Sequence, residues 1–97
     1  MTPEGRVKRA VSKELDRYPH YREMPVPSGF GKSGLDYTIC FYGKFIAIET
    51  KKPGGKPTPR QELRIKEIQA AGGITFVVTS VEQAQTELRE ALAKLAA

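Results

Sequence analysis

Apolar and polar positions alternate with different periods along the 97 residues, and each change of period marks an element. From Pro3 to Tyr18, Val7, Val11 and Tyr18 recur on one face at helical spacing, which predicts an amphipathic helix. Tyr21 to Val26 predicts a short extended segment, which Pro25 and Pro27 confine to a sheet edge. Asp36-Tyr37-Thr38-Ile39-Cys40-Phe41 and Phe45-Ile46-Ala47-Ile48-Glu49-Thr50-Lys51 are rich in β-branched and aromatic residues, with Tyr42-Gly43-Lys44 as a short turn between them. If Tyr42 and Gly43 form a two-residue loop, Phe41 faces Lys44 and the register runs back until Asp36 lies opposite Glu49.

Beyond the hairpin, Lys52-Pro53-Gly54-Gly55-Lys56-Pro57 reads as a mobile basic loop leading to a helix over Pro59–Ala71, ended by Gly72-Gly73. Ile74 to Thr79 is an almost continuous apolar run, as expected of a buried strand, and its helical connection to the preceding strand predicts parallel pairing. Ser80 with Gln83 predicts a capped final helix carrying Val81, Ala84, Leu88, Leu92 and Leu95. The predicted order is α-β-β-β-α-β-α, a mixed α/β (α+β) fold in one domain over residues 1–97.

The hairpin register brings chemistry together. Opposed Asp36 and Glu49 would place their Cβ atoms ~4.5–5.5 Å apart. Asp36, Glu49 and Lys51 share one face, while Ile39, Ile46 and Ile48 take the other. Two close carboxylates repel unless a cation intervenes. Hard oxygen ligands without a His or Cys cluster favour Mg²⁺ or Mn²⁺ over zinc, and the Thr50 carbonyl is a candidate further ligand. Lys51 is placed to orient or deprotonate an attacking water and to stabilise charge on a phosphorane. The competing reading is a turn-closing Asp36 and a solvated strand edge carrying a surface Glu49–Lys51 pair, since a D…ExK spacing is common by chance.

Charge adds a partner class. A net charge of +5 and a pI near 9.5 imply attraction to a polyanion. Arg6, Lys8, Arg9, Lys13 and Arg17 decorate the first helix, where solvated charges are ordinary. Lys52, Lys56, Arg60, Arg64 and Lys66 gather around the candidate site, where phosphate binding is the stronger reading. The segment Ser28 to Gly34 lacks the spacing of a phosphate-binding loop and reads as a flap with Phe30 and Lys32 as candidate DNA contacts. A single cysteine, Cys40, permits no intramolecular disulfide, and there is no signal peptide or membrane-length apolar run, so an intracellular protein without membrane partners is expected. His20, in a loop, is too distant for zinc or Cys-His chemistry.

Ser33-Gly34-Leu35-Asp36, then Ile48 to Lys56, then Thr58-Pro59-Arg60-Gln61 and Ala70-Ala71-Gly72-Gly73 together resemble the virus-type replication-repair nuclease (VRR-NUC) domain. That family lies in the PD-(D/E)xK superfamily, whose restriction-endonuclease-like core has the element order predicted above. The resemblance spans about Glu4 to Val78. Leu35 departs from it, standing where the family usually has proline, which alters backbone stiffness more than chemistry.

The resemblance implies a Mg²⁺- or Mn²⁺-dependent endonuclease in which Asp36 and Glu49 hold metal and Lys51 is catalytic. It further implies that Glu4 completes the acidic cluster and that Gln61 belongs to the site. Both have structural competitors. Thr2-Pro3-Glu4 reads equally as N-cap, N1 proline and first-turn acid, and Glu14, on the face of Val7 and Val11, is a rival for the acidic role. Thr58 to Gln61 reads as a capping box, although Gln61 also shares the Ile65, Ile68 and Gly72 face expected to pack on the sheet. Minimal members resembling this chain are expected to be homodimers acting on four-way (Holliday) DNA junctions. Two other readings stay open: the same chemistry on flaps, ends or duplex DNA, and a non-catalytic basic nucleic-acid-binding module.

Overall fold

The computed structural model describes residues 1–25 and 34–97. Val26, Pro27 and the glycine-rich segment with Phe30 and Lys32 lie outside the described residues. Among these residues, three helices and four strands follow the predicted order: α1 (Pro3–Leu15), β1 (Tyr21–Glu23), β2 (Tyr37–Phe41), β3 (Lys44–Thr50), α2 (Pro59–Ala70), β4 (Ile74–Val78) and a C-terminal helix, α3, over residues 81–96. The strands lie in the order β1-β2-β3-β4, antiparallel from β1 to β3 and parallel between β3 and β4.

The hairpin has the predicted register, with Phe41 paired to Lys44 and Tyr37 to Ile48. Tyr42 and Gly43 both take left-handed backbone, at φ 52° and 78°, which matches the strand twist in a two-residue loop. Tyr37, Ile39 and Phe41 of β2 and Ile46 and Ile48 of β3 therefore point to one face. There they meet Val7, Val11 and Leu15 of α1 and Ala84, Leu88 and Leu92 of α3 in a single buried cluster. Tyr37 also pins α1 by polar contacts: its hydroxyl donates to the Lys8 carbonyl at 2.8 Å and lies 2.6 Å from Ser12 Oγ. With its one proton used on Lys8, Tyr37 accepts from Ser12.

The opposite sheet face is covered only in part. α2 lies there, with Gln61 buried and Ile65 and Ile68 half-buried. Gly73 permits the approach, since a Cβ at that position would stand 2.5 Å from Ile68 Cγ2 and 3.2 Å from Phe45 Cδ1.

Three predictions need correction. α1 ends at Leu15, three residues before Tyr18, because Arg17 and Tyr18 donate to carbonyls three residues back, closing tight turns ahead of Pro19. β4 is half-buried except at Val78; it lies at one of the sheet's two edges, and its apolar run is only partly covered. Finally, α3 is not regular. Val81–Gln83 leads into a π-helical segment, Ala84–Leu88, before Arg89–Ala96 resumes the α-helix. Ser80 caps this helix through the Gln83 amide as predicted.

Arg89, where the π-helical segment ends, clamps α3 to α1. Its guanidinium donates to both oxygens of buried Glu14, at 2.9 and 2.8 Å, and Arg17 adds a contact at 3.6 Å. Hydrogen bonding from Arg89 holds the Glu14 carboxyl below the ordinary glutamate value, against the opposing effect of burial. A lowered folded-state pKa means that the stabilisation is present at neutral pH and lost as pH falls through that value. Arg89→Met should lower the unfolding free energy at neutral pH. Urea titrations should find that deficit shrinking below about pH 4, whereas equal deficits in neutral and acidic buffer would contradict the clamp.

Candidate functional site

The β2–β3 ladder ends at Tyr37 and Ile48, and the next two positions along it are Asp36 and Glu49. Here side chains replace backbone pairing. Asp36 N donates to Glu49 Oε1 at 3.1 Å, while Thr50 donates to Asp36 Oδ2 from its amide at 2.8 Å and its hydroxyl at 2.6 Å. Each carboxylate is thus fixed to the other strand.

Burial decides against the surface-pair reading. Asp36 is 3% exposed and Glu49 2%, so both acids sit where an uncompensated negative charge is costly. Among the described residues, compensation comes from three side chains. Lys51 Nζ lies 3.3 Å from Glu49 Oε2, Gln61 Nε2 donates to the same oxygen at 2.8 Å, and Lys8 Nζ lies 3.4 Å from Asp36 Oδ1.

Gln61 performs both roles weighed for it. Its Oε1 accepts from the Thr58 amide at 3.0 Å and its own amide donates to Thr58 Oγ1 at 3.2 Å, completing the capping box. Its Nε2 remains to reach Glu49. An amide side chain has both donor and acceptor ends, and the box fixes which end faces the sheet. α2 is thereby anchored to the site at its first turn.

Lys8 is the site residue that the sequence does not reveal, since by pattern it belongs with the solvated cations of the first helix. The available signal was its position between the core residues Val7 and Val11, one helical turn after Glu4. Glu4 itself is exposed in the first turn of α1, and among the described residues no cluster of three acidic, His or Cys side chains forms. Glu4 lies one helical turn before Lys8 and, among the described residues, forms no such cluster with the carboxylate pair. Glu14 is occupied by Arg89, far along the same helix.

Among the basic candidates, Lys52, Lys56 and Arg60 are exposed, and Arg64 is paired with Glu67 on α2. Lys32 lies outside the described residues. The loop after β3 contains a closed turn: Gly55 N donates to the Lys52 carbonyl at 2.8 Å, with Pro53 and a left-handed Gly54, φ 81°, at its centre. Cys40 is exposed, and no described helix is long and apolar enough to cross a membrane.

The donor set fits a hard divalent cation. Two buried carboxylates converge, a hard-oxygen donor set of the kind a divalent cation takes in place of an ammonium group. Asp36, Glu49 and the Thr50 carbonyl are the residues that could hold it.

No protein-family model matches the sequence, and no curated protein does. Among solved structures, a VRR_NUC domain is similar, with a TM-score of 0.76 over 91% of this chain and 96% of that one, at 21% identity. The chain has the VRR_NUC fold.

Gln61→Ala removes the side-chain half of the capping box and the Glu49 donor, leaving Thr58 Oγ1 to accept from the residue-61 amide, and should cost about 1–3 kcal/mol of stability. Most of the second contribution should vanish when Glu49 is already Gln. A double-mutant cycle by denaturant unfolding that finds the two changes strictly additive would contradict the contact.

Proposed function

We propose that the chain is a divalent-metal-dependent DNA endonuclease that hydrolyses phosphodiester bonds at branched DNA, four-way junctions above all. One observation carries the proposal: the buried Asp36–Glu49 pair with Lys51 against it, at the end of the β2–β3 ladder. The similar solved structure is titled a VRR_NUC domain, and the positive charge of the chain favours a polyanionic substrate.

In this reading Mg²⁺, or Mn²⁺ in its place, is held by Asp36, Glu49 and the Thr50 carbonyl, with Glu4 a further ligand once the first turn of α1 adjusts. The bound cation supplies Lewis acidity and a lowered pKa for water. Lys51 orients the attacking water and offsets charge developing on the phosphoryl oxygens. Gln61 holds Glu49 in position and closes that side of the pair. Lys52, Lys56 and Arg60 take phosphates of the bound strand, with Lys32, and Arg64 joins them by exchanging Glu67 for phosphate. Contacts of this kind recognise backbone shape, and binding should weaken steeply with salt.

Asp36→Ala and Lys51→Ala should each reduce cleavage of junction DNA in Mg²⁺ by at least about a hundredfold while binding in a gel-shift assay persists. Parallel assays on junction, flap and linear duplex distinguish the proposed substrate from flaps, ends or duplex. Binding without cleavage by the native sequence in both Mg²⁺ and Mn²⁺ would favour a basic nucleic-acid-binding module and overturn the enzymatic reading.

A twofold homodimer completes the proposal, since one site cuts one strand and a junction requires two cuts. Tyr21, Cys40 and Phe45 are cross-strand neighbours in register on β1, β2 and β3, and all three are exposed on the face that α2 leaves open. Phe45 also borders an open cavity of about 410 Å³ with Ile68, Ala71 and Gly73. This apolar row supports a second copy as its cover. Light scattering should give a dimer mass for the native chain and a monomer mass for Phe45→Glu. A native monomer at micromolar concentration would contradict it.

A further inference from the structure

We infer that Lys8 is a displaceable counter-ion of Asp36, occupying the carboxylate oxygen that a divalent cation must take and leaving it when the cation binds. The inference rests on the proposed metal site and adds a positioning residue outside the D…ExK set.

Among the described residues, the two oxygens of Asp36 are differently engaged. Oδ2 accepts both Thr50 donors, at 2.8 and 2.6 Å, and these tie it to β3. Oδ1 faces Lys8. A cation entering beside Glu49 without breaking the strand contacts takes Asp36 through Oδ1, where the ammonium already sits.

The Lys8 contact is built to yield. At 3.4 Å it is longer than a charge-assisted hydrogen bond of ~2.7–2.9 Å, and its side chain is 38% exposed. Lys51, at 17%, is more enclosed. The Lys8 backbone, by contrast, is fixed, because its carbonyl accepts from Tyr37 Oη at 2.8 Å and Tyr37 adjoins Asp36 in sequence. A flexible four-carbon stem on an immobile helical turn lets the ammonium leave Asp36 while staying beside the site.

Isothermal titration of the full chain with Mn²⁺, without DNA, tests this. Lys8→Met keeps the stem and removes the charge, so Mn²⁺ should bind about three- to tenfold more tightly than to the native chain. Lys8→Arg should remain near native affinity, which guards against a general effect of altering α1. Asp36→Asn should abolish binding. If Asp36→Asn abolishes binding but Lys8→Met leaves it unchanged or weaker, the role of Lys8 is overturned while the metal site stands. If Asp36→Asn binds Mn²⁺ as the native chain does, the metal site is overturned and the counter-ion with it.

Discussion

The cross-bonding of Asp36 and Glu49 at the open end of the β2–β3 ladder is the constraint on which the site depends. Strand pairing brings the two residues opposite each other, yet two buried carboxylates would drive the strands apart without donors. The donors come from the strands themselves, through the Asp36 amide and the amide and hydroxyl of Thr50. The backbone ladder is in effect extended by one step through side chains. Because each acid is fixed by the partner strand, their mutual position depends on hairpin register, and that depends on the two-residue loop at Tyr42 and Gly43.

Each helix that reaches the pair is held by an independent device. α2 arrives with a capping box that aims the Gln61 amide at Glu49. α1 arrives through Tyr37, which binds the Lys8 carbonyl while its ring fills the core beneath. The Glu14–Arg89 clamp then joins the far end of α1 to α3. The apolar cluster lies on the opposite sheet face from Gln61, so core packing supports the site without filling it.

Much of this was legible in the chain. Period-two alternation and Gly43 implied the hairpin register, and register implied the pairing of Asp36 with Glu49. The element order and the parallel β4 followed from length and pattern. What escaped did so for identifiable reasons. A half-buried edge strand and an enclosed one carry the same apolar run, so the exposure of β4 was not readable. The π-helical segment has no composition signature, since Ala84, Leu88 and Leu92 fit a regular helix equally well. Gln61 was read as cap or site residue, because sequence gives no account of an amide using both ends. Lys8 looked like its solvated neighbours, since its contact depends on the depth at which Tyr37 seats the helix. Glu14 followed the core face as predicted, but its partner is 75 residues away, beyond any local pattern.

The central claim is that Asp36 and Glu49 form one cation site joined to Lys51 and Gln61. Anomalous diffraction from crystals soaked in Mn²⁺ addresses it without reference to any substrate. The account predicts a peak about 2.0–2.3 Å from Asp36 Oδ1 and from a Glu49 carboxylate oxygen, with Lys8 Nζ withdrawn from Asp36. A fully loaded crystal with its manganese elsewhere, and the Lys8–Asp36 contact intact, would contradict it.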